Sequence, residues 1–368
     1  TSWHMLLRSE IYKPKNRIIM EKTFYFLAVA LMLATFSSCN TGQEKVSPVQ
    51  KTDISEFFGQ WTIDIEGGSV GWIEVRQDQG FIAGDILWGG GSVLPVSNIF
   101  LASDRTLVLQ RAGSVVRKRD ENRNPLVTSV ITDWLEMNLN NTGELEGILL
   151  RPQRTGLGVD TTFFSGWKLP PVPPAPDLSK VKYGEPETLF NGQDLTGWRL
   201  INPEQTNGWK VVDGTLLNDP VQAEGGPRIS YGNLRTDKTF GDFNLKLEVN
   251  IPPGSNSGVY LRGIYEIQVV DSYKKDTDPH NMGAVYSRIR PVTAAEKPAG
   301  QWQTMDMTLC DRHITVILND VKIIDNQPVY GPTGGAISPD VFAPGPVYLQ
   351  GDHGKVAYRN IVLTPILE

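Results

Sequence analysis

Cysteine is almost missing from this chain: 368 residues contain two, Cys39 and Cys310. Cys39 closes a leader-like segment, so only Cys310 remains for the folded part and no disulfide can form within one chain. Cys310 lies in an apolar alternation with Met305, Met307 and Leu309 and reads as a packed small residue, not a nucleophile. A basic surplus is also missing. Lys and Arg number 35 against 41 Asp and Glu, a net charge of −6, with no basic cluster. That excludes the electrostatic footprint of a nucleic-acid binder. The apolar run FYFLAVALMLATF (24–36) has 13 residues, too few for a stable membrane span. Helical 3.6-residue periodicity is scarce throughout, while strand patterns recur.

The apolar run fits a signal segment instead. Residues 1–19 read as an upstream extension, with Met20 as the start. Lys22, the apolar run, Ser37, Ser38 and Cys39 then follow in the order of a bacterial lipoprotein signal. That resemblance implies that Cys39 is diacylated and becomes the mature N-terminus. Phe36 departs from the usually aliphatic position, and a plain secretory signal is the alternative. Residues 1–38 are thus expected to be extension and leader, and the polar residues 39–54 a tether to the membrane. No acidic run follows Cys39, which favours an outer-membrane anchor facing the periplasm.

A length of 368 residues suggests two domains. Segment 55–168 contains short strand runs, among them WTIDI (61–65), GWIEVR (71–76) and WLEMNLN (134–140), separated by Gly, Asn and Asp turns. This is the pattern of a small antiparallel sandwich or barrel. Trp61, Trp72, Trp88, Trp134 and Trp167 suit a core or a sugar-stacking surface. The segment has no acid–base pair or metal cluster and is expected to be accessory, capturing substrate or covering one mouth of the following domain. LPPVPPAPDL (169–178) opens a stiff linker, 169–182. Segment 183–368 again alternates, with Asn319-Asp320 reading as a hairpin turn. Roughly a dozen strands with almost no helix imply two packed antiparallel sheets.

Chemistry concentrates in GSNSGVYLRGIYEIQVVDS (254–272). Val259 and Leu261 alternate with Tyr260 and Arg262, and Tyr265, Ile267 and Val269 alternate with Glu266 and Gln268. One face is therefore apolar, and the other carries residues that bind hydroxyl-rich ligands. A merely exposed face with a local Arg-Glu pair is the plain alternative. A second cluster is LQGDHG (349–354), where Gln350 and Asp352 alternate with Leu349 and His353 sits on a glycine-flanked turn. A third is Tyr358-Arg359-Asn360. His280, in KKDTDPHN (274–281), reads as a solvated loop residue, although such a loop can close over a ligand.

LFNGQDLTGW (189–198), the block 241–272, GAVYSRIRPVTAAEKPAGQWQTMDMTLCDRHITVILNDVKII (283–324) and VYLQGDHGKVAYRNIVLTP (347–365) resemble the 3-keto-disaccharide hydrolase family, in the family's order. The resemblance spans about 187–366 and implies an all-β, concanavalin-like jelly roll. It also implies an enzyme cleaving 3-keto-glycosides or 3-keto-disaccharides, by C2 proton abstraction and loss of the C1 substituent followed by water addition. Family and polar face together nominate Glu266 and His353 as the catalytic pair. Asn256, Tyr260, Arg262, Gln268, Asp271, Gln350 and Tyr358 are the expected substrate-binding residues. Glu266, Asp271, Asp352 and His353 could donate to a divalent cation, although no spacing is diagnostic. No other cofactor is implied. Two alternatives stay open: a non-catalytic carbohydrate-binding lipoprotein, and a two-carboxylate glycoside hydrolase. The latter is weakened because EIQVVD (266–271) lacks the Glu-x-Asp-x-x-Glu strand of sandwich β-glucanases.

Overall fold

Alternation in the first half of the chain sends every second side chain to one interior. Trp61, Ile63 and Ile65, Ile73 and Val75, Leu107 and Leu109, and Leu135, Met137 and Leu139 pack together there. The computed structural model describes residues 54–103 and 105–367, so Cys39 and the leader-like run lie outside the described residues. Apart from one 3-10 turn at Ile54–Phe57, the regular elements are strands. Nine of them, from Gly59–Ile65 to Val159–Leu169, form one antiparallel sheet whose first strand pairs with its last. The sheet's two edges are successive in the chain. Between them Val96 donates its N–H to Gly84 O and Ser97 donates to Gln110 O, closing the sheet into a barrel. Full closure removes exposed strand edges.

The second half is a jelly-roll sandwich of two antiparallel sheets. One sheet runs Trp209–Val212, Thr215–Asn218, Val356–Leu367, Phe243–Asn250, Gln303–Cys310, His313–Leu318 and Val321–Pro328. The other runs Trp198–Leu200, Leu234–Thr236, Tyr348–Leu349, Asn256–Leu261 and Tyr265–Val270. Val259, Leu261, Ile267 and Val269 point inward and meet Leu245, Leu247, Met305 and Met307 of the facing sheet. The apolar set read from 254–272 is therefore one wall of the sandwich core, and its polar partners stand on the outer face of the five-stranded sheet. Cys310 ends the strand Gln303–Cys310 of the facing sheet and is buried, and burial pushes its thiol up to about 11, too high for a reactive thiolate.

The barrel rests on the sandwich through its own alternation. Trp72 and Leu87 are cross-strand partners on the barrel's outer face, and both join the sandwich core. The Trp72 indole donates to Tyr330 O at 2.9 Å, and the Arg288 guanidinium lies 4.0 Å over its ring. Thr62 donates to Pro339 O at 2.8 Å. Between barrel and sandwich, Arg312 donates to Pro170 O and Asn326 to Pro176 O. The proline-rich segment is thereby strapped along the second sheet.

Candidate active site

Strand register builds the site in rows. Tyr260 stands opposite Glu266 on one side and opposite Tyr348 on the other. One row of the outer face is therefore Tyr348, Tyr260, Glu266. The Tyr260 and Tyr348 rings stack with centroids 3.7 Å apart. In the next row Gly258 faces Gln268, and Gln350 donates its backbone N–H to Gly258 O. Gly258 has no side chain because Glu266 lies over it: a β-carbon there would collide with Glu266 Oε1.

These rows floor a cavity of about 230 Å³. Asn256, Gln268, Gln350, Asp352, His353, Asn233 and Tyr286 line it together with Tyr260, Glu266 and Tyr348. Its polar lining is only partly satisfied from within the protein. Asn256 Oδ1 and Gln350 Oε1 are buried and lack a hydrogen-bond partner among the described residues. Gln268 Oε1 accepts from Val269 N–H and Asn233 Oδ1 from Gly351 N–H, which leaves both amide nitrogens for a ligand. Unpaired buried amides beside an aromatic pair suit a hydroxyl-rich ring.

Glu266 is 3 % exposed. Burial pushes its carboxyl up to about 8, and the bond from Tyr260 and the charge of His353 only partly oppose this. Tyr260 Oη lies 2.8 Å from Glu266 Oε2 and 2.7 Å from Gly334 O. A phenol has one proton, so both contacts are hydrogen bonds when Tyr260 donates to Gly334 and a protonated Glu266 donates to Tyr260. Geometry and pKa agree on a carboxyl that is mostly neutral at pH 7.

His353 follows the strand Tyr348–Leu349 on the glycine-flanked turn and is 45 % exposed at its side chain. Its Nδ1 is 2.8 Å from Asp352 Oδ1. That bond raises the imidazole pKa above its ordinary value. Asp352 is held below the usual carboxylate range, because the His353 bond and charge outweigh burial. Asp352 therefore fixes the ring with a proton on Nδ1 and leaves Nε2 for the cavity.

The structure brings Glu266, His353, Asn256, Tyr260, Gln268 and Gln350 together, and leaves out three residues expected beside them. Arg262 is at the hairpin turn, at φ +55°, and not on the strand face. Its guanidinium runs the other way to Val341 O, Ala343 O and Asp242. Asp271 accepts from Gly254 N–H and organises that loop. Tyr358 is buried behind the sheet, 2.9 Å from Ser257 Oγ and stacked near Trp209. Of the four candidate cation donors, Asp271 lies elsewhere, while Glu266, Asp352 and His353 share the cavity. Among the described residues no three His, Cys, Asp or Glu side chains are placed to hold a metal ion.

Sequence reading missed Tyr348, although it shares a face with Gln350 two residues on. It also missed Asn233, Tyr286, the Gly334-Gly335 pair and the barrel's Gly90-Gly91, all of which reach the cavity through loops.

Residues 185–364 match the model of the 3-keto-alpha-glucoside-1,2-lyase-like domain. No curated protein matches the chain. Solved structures with similarity include a candidate glycosyl hydrolase from Parabacteroides distasonis ATCC 8503. It is 23 % identical, with 50 % of this chain and 94 % of that one covered and a TM-score of 0.41. A second from the same organism is 26 % identical, covering 53 % and 92 %, with a TM-score of 0.40. A carbohydrate-binding module from Bacillus subtilis is 15 % identical over 45 % of this chain and 93 % of that one, with a TM-score of 0.30. The match to the 3-keto-alpha-glucoside-1,2-lyase-like domain family covers a little under half of the chain, residues 185–364.

Proposed function

We propose that this protein cleaves the glycosidic bond of 3-keto-glycosides, with Glu266 and His353 as its acid–base pair. The observation that carries the reading is a buried carboxyl with a pKa of about 8, sharing a small polar cavity with a histidine held by Asp352. A sugar ketone at C3 acidifies the C2 proton, since the resulting carbanion delocalises onto oxygen. Abstraction of that proton and departure of the C1 oxygen form a C1=C2 double bond. Water addition across it then completes a net hydrolysis.

This chemistry needs one base and one acid at the same time. The pair provides them when it holds one proton fewer than its fully protonated form. In the productive arrangement Glu266 is ionised and His353 is imidazolium. Glu266 takes the C2 proton, and its raised pKa makes it a stronger base than an ordinary carboxylate. His353 gives its proton to the departing oxygen. The amides of Gln268 and Asn256 are the donors at hand for the C3 oxygen as negative charge develops there. The leader-like pattern ending at Cys39 supports action in the cell envelope.

The test is incubation with a plain disaccharide and with its 3-keto form labelled with deuterium at C2. Cleavage of the keto form alone, with deuterium washing out into solvent, is the expected result. Glu266→Gln and His353→Ala should each lose at least about 10²-fold in turnover. Cleavage of both sugars, full retention of deuterium, or near-normal turnover in both variants overturns the reading.

A further inference from the structure

The cavity has a wall that the sandwich does not supply. Gly90 and Gly91 of the barrel line it alongside Glu266 and His353. They belong to the run Gly89-Gly90-Gly91-Ser92, which leaves the barrel strand Phe81–Trp88. Four contacts hold this loop to the sandwich. Gly335 N–H donates to Gly89 O at 3.3 Å. Val93 N–H donates to Ser287 Oγ at 2.9 Å. Gly334 packs so closely on Gly91 that a β-carbon on Gly334 would collide with the Gly91 backbone. Ser92 Oγ lies 2.9 Å from His280 Nε2, and His280 Nδ1 lies 2.6 Å from Asp278 Oδ1.

Asp278 fixes the His280 tautomer with its proton on Nδ1, so Nε2 accepts from the Ser92 hydroxyl. Acid, imidazole and hydroxyl follow the order of a hydrolase triad. Neither Ser92 nor His280 lines the cavity, however, so no substrate carbonyl held there would meet the hydroxyl. The chain of bonds ties the loop down instead. The ring edge of Tyr286, which does line the cavity, meets His280 with centroids 5.0 Å apart. The tie therefore ends against the cavity's own wall.

We propose that the barrel loop Gly89–Gly91 is a specificity element of the same site: it closes the cavity to one sugar ring and confines the enzyme to terminal 3-keto residues, with Ser92 as the residue that positions it. This rests on the sugar-cleaving reading above. At about 230 Å³ the cavity is smaller than the roughly 300–1,000 Å³ that encloses a drug-sized ligand, which suits one ring and not two. Glycines let the loop approach the ring without a side chain in the way. Gly90 lines the cavity and a β-carbon there would meet nothing within 4 Å, so a large side chain can be added beside the cavity without a clash inside the fold.

The experiment uses the full chain and two readouts. Calorimetry measures binding of 3-keto-glucose, a single ring with no aglycone to lose. Turnover is compared between trisaccharides carrying the ketone on the terminal or on the internal ring. Wild type should bind the monosaccharide and cleave only the terminal-keto substrate. Gly90→Trp should weaken monosaccharide binding at least tenfold with an unchanged thermal midpoint. Ser92→Ala should raise KM with little change in kcat and admit some internal-keto substrate. Ser92→Thr, which keeps the hydroxyl, should restore the wild-type KM. If Gly90→Trp binds as wild type does, or wild type cleaves internal-keto rings equally, the proposal fails while the sugar-cleaving reading stands. If wild type neither binds nor cleaves any keto sugar, both fail together.

Discussion

Tyr260 faces Glu266 directly across an antiparallel pair, with the phenol oxygen 2.8 Å from the carboxyl. Burial of the carboxyl at that position raises its pKa, and the Tyr260 bond only partly opposes this. Stability should carry the signature. The folded pKa of Glu266 is about 8 against an ordinary 4.5. Between those values the unfolded chain has released the proton and the folded chain has kept it. This contribution to stability is thus fully present below about pH 4.5, falls as pH rises toward 8 and levels off above it. Thermal midpoints of wild type and Glu266→Gln, followed from pH 4 to 9, should diverge in that window. The variant should be the more stable at pH 9, and parallel curves would contradict a buried neutral carboxyl.

Asp352 should act through His353. Its bond is the largest cause of the raised imidazole pKa. Asp352→Asn is expected to let that pKa fall toward the ordinary value. If His353 supplies the proton to the leaving oxygen, the alkaline limb of kcat then moves to lower pH. A pH–rate profile measures this, and an unmoved limb would separate His353 from the proton step.

Gly258→Ala tests the cavity floor. Its β-carbon would meet Glu266 Oε1 and the rest of the carboxyl, so the carboxyl must swing away from its place. Turnover should fall about 10²-fold, since misplacement by about 1 Å of a reacting group has that cost. Circular dichroism should remain that of the wild type.

Arg262→Ala should behave in the opposite way. The guanidinium is 5 % exposed and holds two carbonyls and Asp242. Its removal leaves the Val341 and Ala343 carbonyls without that donor, while Asp242 keeps the Asp311 N–H, at a cost of about 1–3 kcal/mol for each buried carbonyl. Denaturant unfolding should show that loss, while the protein that remains folded keeps its substrate KM. A large rise in KM at unchanged stability would return Arg262 to the site.

Local periodicity made part of this site legible in the amino-acid order. Alternation along 254–272 separated Val259, Ile267 and Val269 from Tyr260, Glu266 and Gln268, because successive strand side chains point to opposite faces. His353 was legible only as a residue of a glycine-flanked turn in a block resembling the family; its place beside Glu266 follows from the pairing of Tyr348–Leu349 with Asn256–Leu261. Arg262 escaped this logic: a residue at φ +55° has left the strand, and counting by twos no longer says where it points. Tyr358 and Asp271 escaped it too, since proximity in a well-matched block does not say which side of a sheet a side chain occupies. Only the tertiary structure could set Tyr348 and Tyr260 face to face, because strand pairing joins positions far apart in the chain. Only it could bring Gly90 and Gly91 from the barrel to the cavity. Loop residues carry no periodicity, and their placement follows from how Trp72 and Leu87 seat one sheet system against the other.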